Sequence, residues 1–212
     1  MTPIEQRNEL LANKIIKSLN TRHIEGYFCA TSADAIKKVL GLIPKGSSIS
    51  WGGSMTIRDM GLTAALHDAG IYTLYDRDLA ESPEEVQAVY RQTFGADFYI
   101  SSANAMSEQG DIVNIDGNGN RVAAIAWGPK KVIFVVGINK IAKDIDAAVK
   151  RARGTAAPIN TVRLNRDTPC TLDGVCHDCH SANSICNQIH IIRNSYDNGR
   201  FCVVIVGEEL GY

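Results

Sequence analysis

One short run limits what this chain can fold into. Lys131-Val132-Ile133-Phe134-Val135-Val136 is rich in β-branched residues, shows no polar alternation and is bounded by Pro129 and Gly137. A strand with one wet face alternates apolar and polar residues, whereas a continuous apolar run reads as a strand buried on both faces. Such a strand belongs at the centre of a parallel sheet, whose crossover connections place helices on its two sides.

The flanking sequence supplies the rest of that architecture. Tyr27–Ala30, Ser48–Trp51, Tyr72–Tyr75 and Phe98–Ile100 read as further strands, separated by helical patterns at Ala33–Leu40 and Ile57–Ala69 and by a helix starting at Ser82-Pro83-Glu84-Glu85. Ahead of them, Thr2-Pro3-Ile4-Glu5 predicts a capped helix start, with Leu11, Ile15 and Leu19 on one face. A helix is expected over Ile141–Arg153, stopping at Gly154. The texture then changes to Pro, Asn, Asp, Cys and His, so a boundary is placed near Thr155: an α/β core over 1–154 and a cysteine-rich segment with C-terminal strands over 155–212, packed together as one unit. Gln188–Ile192 and Phe201–Val206 are expected to pair as a hairpin around Asn198-Gly199.

With 22 Lys+Arg against 23 Asp+Glu, the net charge of -1 gives no counterion-release argument for broad nucleic-acid binding. The first twenty residues carry Glu5, Arg7, Glu9 and Lys14, which is unlike a secretory leader, and no run approaches the roughly 18 apolar residues of a membrane span. A cytoplasmic protein is expected.

Four of the six cysteines, Cys170, Cys176, Cys179 and Cys186, are spaced C-x5-C-x2-C-x6-C. Thiolates clustered in a chain without a secretory signal favour metal ligation over a disulfide framework. A 4Fe-4S cluster is the leading reading and zinc the alternative, with a redox-active Cys176/Cys179 pair behind them. His177 and His180 read as outer or solvated residues, and Cys29 and Cys202 as core.

Two glycine-bearing connections form a candidate cleft. Trp51-Gly52-Gly53-Ser54-Met55-Thr56 joins a strand to a helix, so Gly52, Gly53, Ser54 and Thr56 are candidate anion ligands through backbone N–H groups and hydroxyls, helped by the helix dipole. The second set lies in Asn104–Gly110 and Asp116–Arg121, giving Asn104, Gly117, Gly119 and Asn120 as binding candidates, with Lys140 beyond the central strand. Glu108 is the candidate catalytic carboxylate, as base or nucleophile.

Gly52-Gly53-Ser54, Asn104-Ala105, Asp116-Gly117, Gly119-Asn120-Arg121, Gly128-Pro129-Lys130-Lys131, Asn139-Lys140, Ala157-Pro158 and the four cysteines together resemble the lactate-utilization (LUD) domain family, from about Glu5 to Gly211. That resemblance implies a fold of the group containing ribose-phosphate isomerases, glucosamine-phosphate deaminases and CoA transferases. It implies an accessory or electron-handling role in oxidising L-lactate to pyruvate beside an iron–sulfur partner. Ser107-Glu108-Gln109-Gly110 is similar to the nucleophile stretch of some CoA transferases, but the glycine-rich acyl-CoA loop is missing. An isomerase or acyl-transfer enzyme with a structural zinc is the alternative, and a metabolite sensor or assembly module the next. A small anionic metabolite is the expected ligand throughout, and a homo-oligomer is compatible with the fold group.

Overall fold

The computed structural model describes residues 1–212. In chain order its elements are α1 (Pro3–Thr21), β1 (Glu25–Cys29), α2 (Ser32–Leu42), β2 (Ser48–Trp51), α3 (Met55–Asp59), α4 (Leu62–Ala69), β3 (Thr73–Tyr75), α5 (Pro83–Phe94), β4 (Phe98–Ser101), β5 (Ala105–Ser107), β6 (Ile112–Asp116), α6 (Asn120–Ala126), β7 (Lys131–Gly137), β8 (Ile141–Ala142), α7 (Ile145–Arg151), α8 (Ala157–Arg163), α9 (Cys170–Asp173), β9 (Gln188–Ile192) and β10 (Phe201–Val206).

Six strands form an all-parallel sheet in the order β1-β10-β7-β4-β2-β3. β7 sits inside it, with Val132, Phe134 and Val136 packed into one apolar cluster and Ile133 and Val135 into another. The absence of alternation in its sequence therefore has a direct cause: both faces are core. The cluster containing Phe134 also holds Ala12, Ile15 and Leu19 of α1, while the opposite one holds residues of α2, α3 and α4. Cys29 and Cys202 belong to the latter. The capping box of α1 is fully formed, Glu5 N–H donating to Thr2 Oγ1 at 3.2 Å and Thr2 N–H to Glu5 Oε2 at 2.6 Å.

A second, four-stranded sheet, β8-β5-β6-β9, is mixed. β5 and β9 both run antiparallel to β6, and β8 runs parallel to β5. Its Ile112, Met106 and Ile192 join the cluster of Phe134, and Ala105, Val113 and Ile115 pack on Ala148 and Ala152 across its other face.

Three expectations about elements need correction. β9 and β10 are not a hairpin: β10 inserts parallel between β1 and β7, while β9 edges the second sheet. All six residues of β10 are buried, and a two-stranded hairpin would have left half of them in water. The helix expected over Ile57–Ala69 is two helices, broken at Gly61, whose φ of 83° is left-handed. The helix expected over Ile141–Arg153 begins only at Ile145, capped by Asp144, and does not stop at Gly154; a π-helical turn at Ala152–Ala156 carries it into α8. Pro158 has no N–H to offer the preceding turn, and a π-turn lets the helix continue past it. The boundary drawn near Thr155 thus falls within this continuous helical stretch.

Candidate functional site

The connections leaving β2, β4 and β7, adjacent strands of the main sheet, converge at their carboxyl ends, where ligand sites of parallel sheets gather. They enclose a cleft of about 360 Å³. Gly53, Ser54 and Thr56 come from the first connection, Ser102 and Asn104 from the second and Lys140 from the third. Gly117 and Asn120 line it from the turn before α6, and Tyr212 closes it from the segment after β10.

Its charge is one-sided. Arg77, Arg121, Lys140, Arg163 and Arg166 line the cleft, and Asp116 is the one carboxylate side chain among its lining residues. Asp116 is also occupied: it accepts from the backbone N–H groups of Asn118, Gly119, Arg121 and Val122 at 3.0–3.2 Å, fixing the turn that starts α6. Arg121 is pinned in turn, donating to Asn114 Oδ1 at 2.7 Å, to Asn104 Oδ1 at 3.0 Å and to the Ile115 carbonyl. Lys140 is 3% exposed, and its Nζ donates to Thr56 Oγ1 at 2.7 Å and Ser102 Oγ at 3.1 Å. Burial lowers its pKa to about 7; Arg151 and Arg121 push the same way, and Asp59 weakly opposes them.

The glycine pair works differently from the expectation. α3 has five residues and Ser54 makes no side-chain cap bond, so side-chain cations rather than a helix dipole dominate the field. A Cβ on Gly53 would lie 2.3 Å from Arg77 Nη2, and one on Gly52 would lie 2.9 Å from Arg121 Cδ and 3.0 Å from the Tyr99 hydroxyl. Each glycine therefore makes room for a cleft arginine. Gly52 itself does not line the cleft, and neither does Gly119, whose φ of 84° shapes the entry to α6.

Glu108 lies elsewhere. Its carboxylate accepts from Lys14 Nζ at 2.6 Å and Lys143 Nζ at 3.2 Å, and the Lys14 ammonium holds its pKa below the usual carboxylate range. It ties α1 to the segment before α7 and is not among the cleft residues. Arg58 is paired with Asp78, and Asn139 holds the C-terminal segment by bonding Leu210 N–H and the Gly211 carbonyl at 3.1 and 3.2 Å.

Beside the cleft, Cys170, Cys176, Cys179 and Cys186 line one further cavity of about 340 Å³. Cys170 Sγ has the hydroxyls of Thr161 and Thr168 at 3.3 Å. Burial, followed by the charges of Cys176, Cys170 and Cys179, raises the Cys186 thiol to about 11, with Arg153 opposing. All six cysteines are free thiols. No three His, Cys, Asp or Glu side chains converge closely enough to hold a single metal ion, and His177 is taken up by Asp173 at 2.9 Å.

The two cavities share Ser184 and Asn187. Asn187 Nδ2 donates to the Gly117 carbonyl at 3.1 Å, and a Cβ on Gly117 would meet Ile185 Cα at 3.2 Å. The loop between Cys179 and Cys186 is thus a wall of the cleft.

The LUD domain family model matches residues 12–206. The chain belongs to the LUD domain family. Among solved structures, this LUD domain is similar to a DUF162 family protein from Deinococcus radiodurans at 11% identity and a TM-score of 0.55, covering 94% of this chain and 97% of that one, a likeness of fold. A likeness to eIF2B delta from Chaetomium thermophilum has 15% identity and a TM-score of 0.34 over 68% of this chain and 57% of that one, and carries no argument. Among curated proteins none matches.

Sequence reasoning missed Arg77, Arg163, Arg166, Ser102 and Tyr212 of this LUD domain. Arg77 carried a usable signal, since it stands two residues past the end of β3. Arg163 and Arg166 carried none, because they reach the cleft only through the helix that continues beyond Gly154.

Proposed function

We propose that this LUD domain is a lactate-utilization-type component that binds L-lactate, pyruvate or a related small carboxylate in the cationic cleft, holds an iron–sulfur cluster on Cys170, Cys176, Cys179 and Cys186, and passes electrons to an iron–sulfur partner. The observation that carries this reading is the shared wall: one loop, through Ser184 and Asn187, borders both the cleft and the thiol cavity. A site for an oxidisable carboxylate and a site for an electron carrier are useful together only when they adjoin.

The donor set suits the cluster. Four thiols line one cavity, and thiolates are soft donors of the kind that hold iron–sulfur clusters. Arg153, ion-paired with Asp178, lines the same cavity. Bound there, such a centre supplies one-electron transfer. The chain's own residues attract and orient the substrate: Arg77 offers a guanidinium group for a carboxylate, Arg121, whose terminal N–H groups are held by protein, adds positive charge behind it, and Asn104 and Asn120 give amides for a hydroxyl or carbonyl oxygen. The helices present in the structure include none long and apolar enough to cross a membrane.

Purification without oxygen, followed by a visible spectrum and by iron, sulfide and zinc analysis before and after dithionite, tests the reading. Stoichiometric iron and sulfide with bleaching on reduction is expected. Colourless protein with one zinc per chain would overturn the electron-handling role and leave a metabolite-binding module with a structural staple.

A further inference from the structure

The geometry points to Lys140 as a covalent site: a neutral amine whose lone pair faces the cleft and condenses reversibly with the carbonyl of a small 2-oxo acid. This rests on the reading of the cleft as a carboxylate site and adds to it a chemical class of ligand, the oxo rather than the hydroxy acid, and a named bond.

The hydrogen-bond pattern around Nζ carries the inference. Thr56 Oγ1 and Ser102 Oγ, at 2.7 and 3.1 Å, are the two partners of Lys140 Nζ. Each hydroxyl has a carbonyl within reach of its own proton, Thr56 that of Leu210 at 3.3 Å and Ser102 that of Ala103 at 3.4 Å. Each therefore accepts from the amine. A neutral amine has two N–H bonds and one lone pair, so these two acceptors use both N–H bonds and leave the lone pair for the remaining direction, which is the cleft Lys140 lines.

The surroundings favour the neutral form. No carboxylate pairs with Lys140; Arg151 and Arg121 repel its charge, and only Asp59 attracts it, without a direct contact. A desolvated lysine beside other cations is a recurrent way to make an amine nucleophilic near neutral pH. The cations that line the cleft, Arg77, Arg163 and Arg166 among them, draw a carboxylate into the space that Lys140 also lines. Space is kept for this by Gly211, whose φ of 54° carries the C-terminal segment over the site. A Cβ there would fall 2.7 Å from Thr56 Oγ1 and 3.5 Å from Lys140 Nζ.

The reaction is a condensation with no net redox change. The nitrogen lone pair attacks the carbonyl carbon, and the C–N bond forms as the C=O π pair moves to oxygen. The two nitrogen protons then leave with that oxygen as water, giving the imine. Water reverses the sequence and restores the amine.

The test treats the full chain, purified without oxygen, with pyruvate and sodium cyanoborohydride at pH 7.5, and maps adducts by peptide mass spectrometry. Hydride delivered to the imine carbon fixes the link as a secondary amine. Lys140 should be labelled at least about tenfold faster than any exposed lysine, whose amine is almost wholly protonated at this pH. Lys140→Arg, checked for fold by circular dichroism, should lose that adduct. Thermal unfolding with and without pyruvate separates two failures. A pyruvate-dependent upshift without a Lys140 adduct overturns the covalent site and leaves the carboxylate cleft standing. Neither an upshift nor an adduct overturns both. Labelling spread evenly over surface lysines also overturns the proposal.

Discussion

In the cleft, Arg121 is already held by protein: it spans Asn104, Asn114 and the Ile115 carbonyl, and Asp116 is locked by four backbone N–H groups. The thiol cavity a few residues away is built on a segment whose regular structure between α8 and β9 is the single turn α9, and among its thiols Cys170 has two hydroxyl neighbours at 3.3 Å. One site is organised by hydrogen bonds between secondary-structure ends; the other, under the proposed function, would be organised by the centre its sulfurs hold. Preformed donors lose little freedom when an anion arrives, whereas the proposed centre would add a cross-link to this loop. Their common wall means that loosening the second site should be felt in the first, while the main sheet should feel neither.

The largest effect should follow from breaking the thiol site. The double substitution of Cys176 and Cys179 by Ala is expected to abolish stoichiometric metal, read by elemental analysis, and to expose the 164–187 loop to limited proteolysis. Far-ultraviolet circular dichroism should stay nearly unchanged because β10 and β7 are independent of it. Next comes Arg121→Ala, which strands Asn104 and Asn114 and opens a void beside Gly52. A stability loss of about 3 kcal/mol in urea unfolding is expected, together with at least about a tenfold loss of carboxylate affinity.

Lys140→Met sharpens the contrast through pH. The folded-state pKa of Lys140 is depressed to about 7 from an ordinary 10.5, so the unfolded chain binds more protons between those values and the wild type gains stability as pH rises through them. The Met variant lacks that gain. Its stability relative to wild type should therefore be highest below pH 7 and decline toward pH 10, as followed by thermal unfolding across buffers. The smallest effect belongs to Glu108→Gln. Loss of its ion pairs with Lys14 and Lys143 should cost under about 1 kcal/mol, and carboxylate affinity should not change, since Glu108 lies outside the cleft.

The central sheet was legible because its signal is local. Lys131–Val136 announces a doubly buried strand by its own composition, and the Thr2-Pro3-Ile4-Glu5 cap appears as read. In the second sheet β9 was read at Gln188–Ile192 but given the wrong partner, and β5 with three residues and β8 with two are too short to show a period. The same limit applies to the site. Gly53, Ser54, Thr56, Asn104, Gly117, Asn120 and Lys140 could be placed at strand ends, and the structure brings them together. Arg163, Arg166 and Tyr212 come from segments distant in sequence, and no local pattern marks them. Glu108 shows the converse error, because a loop carboxylate before a glycine looks available until its lysine partners from α1 and the segment before α7 are in place.

The most direct measurement is a calorimetric titration of L-lactate and of pyruvate into the protein purified without oxygen, repeated with Arg121→Ala. Saturable one-site binding of at least one of them, weakening as salt is raised and lost in the variant, is the predicted result. Absence of binding for both acids, or binding that Arg121→Ala leaves intact, would contradict the assignment of the cleft as a carboxylate site.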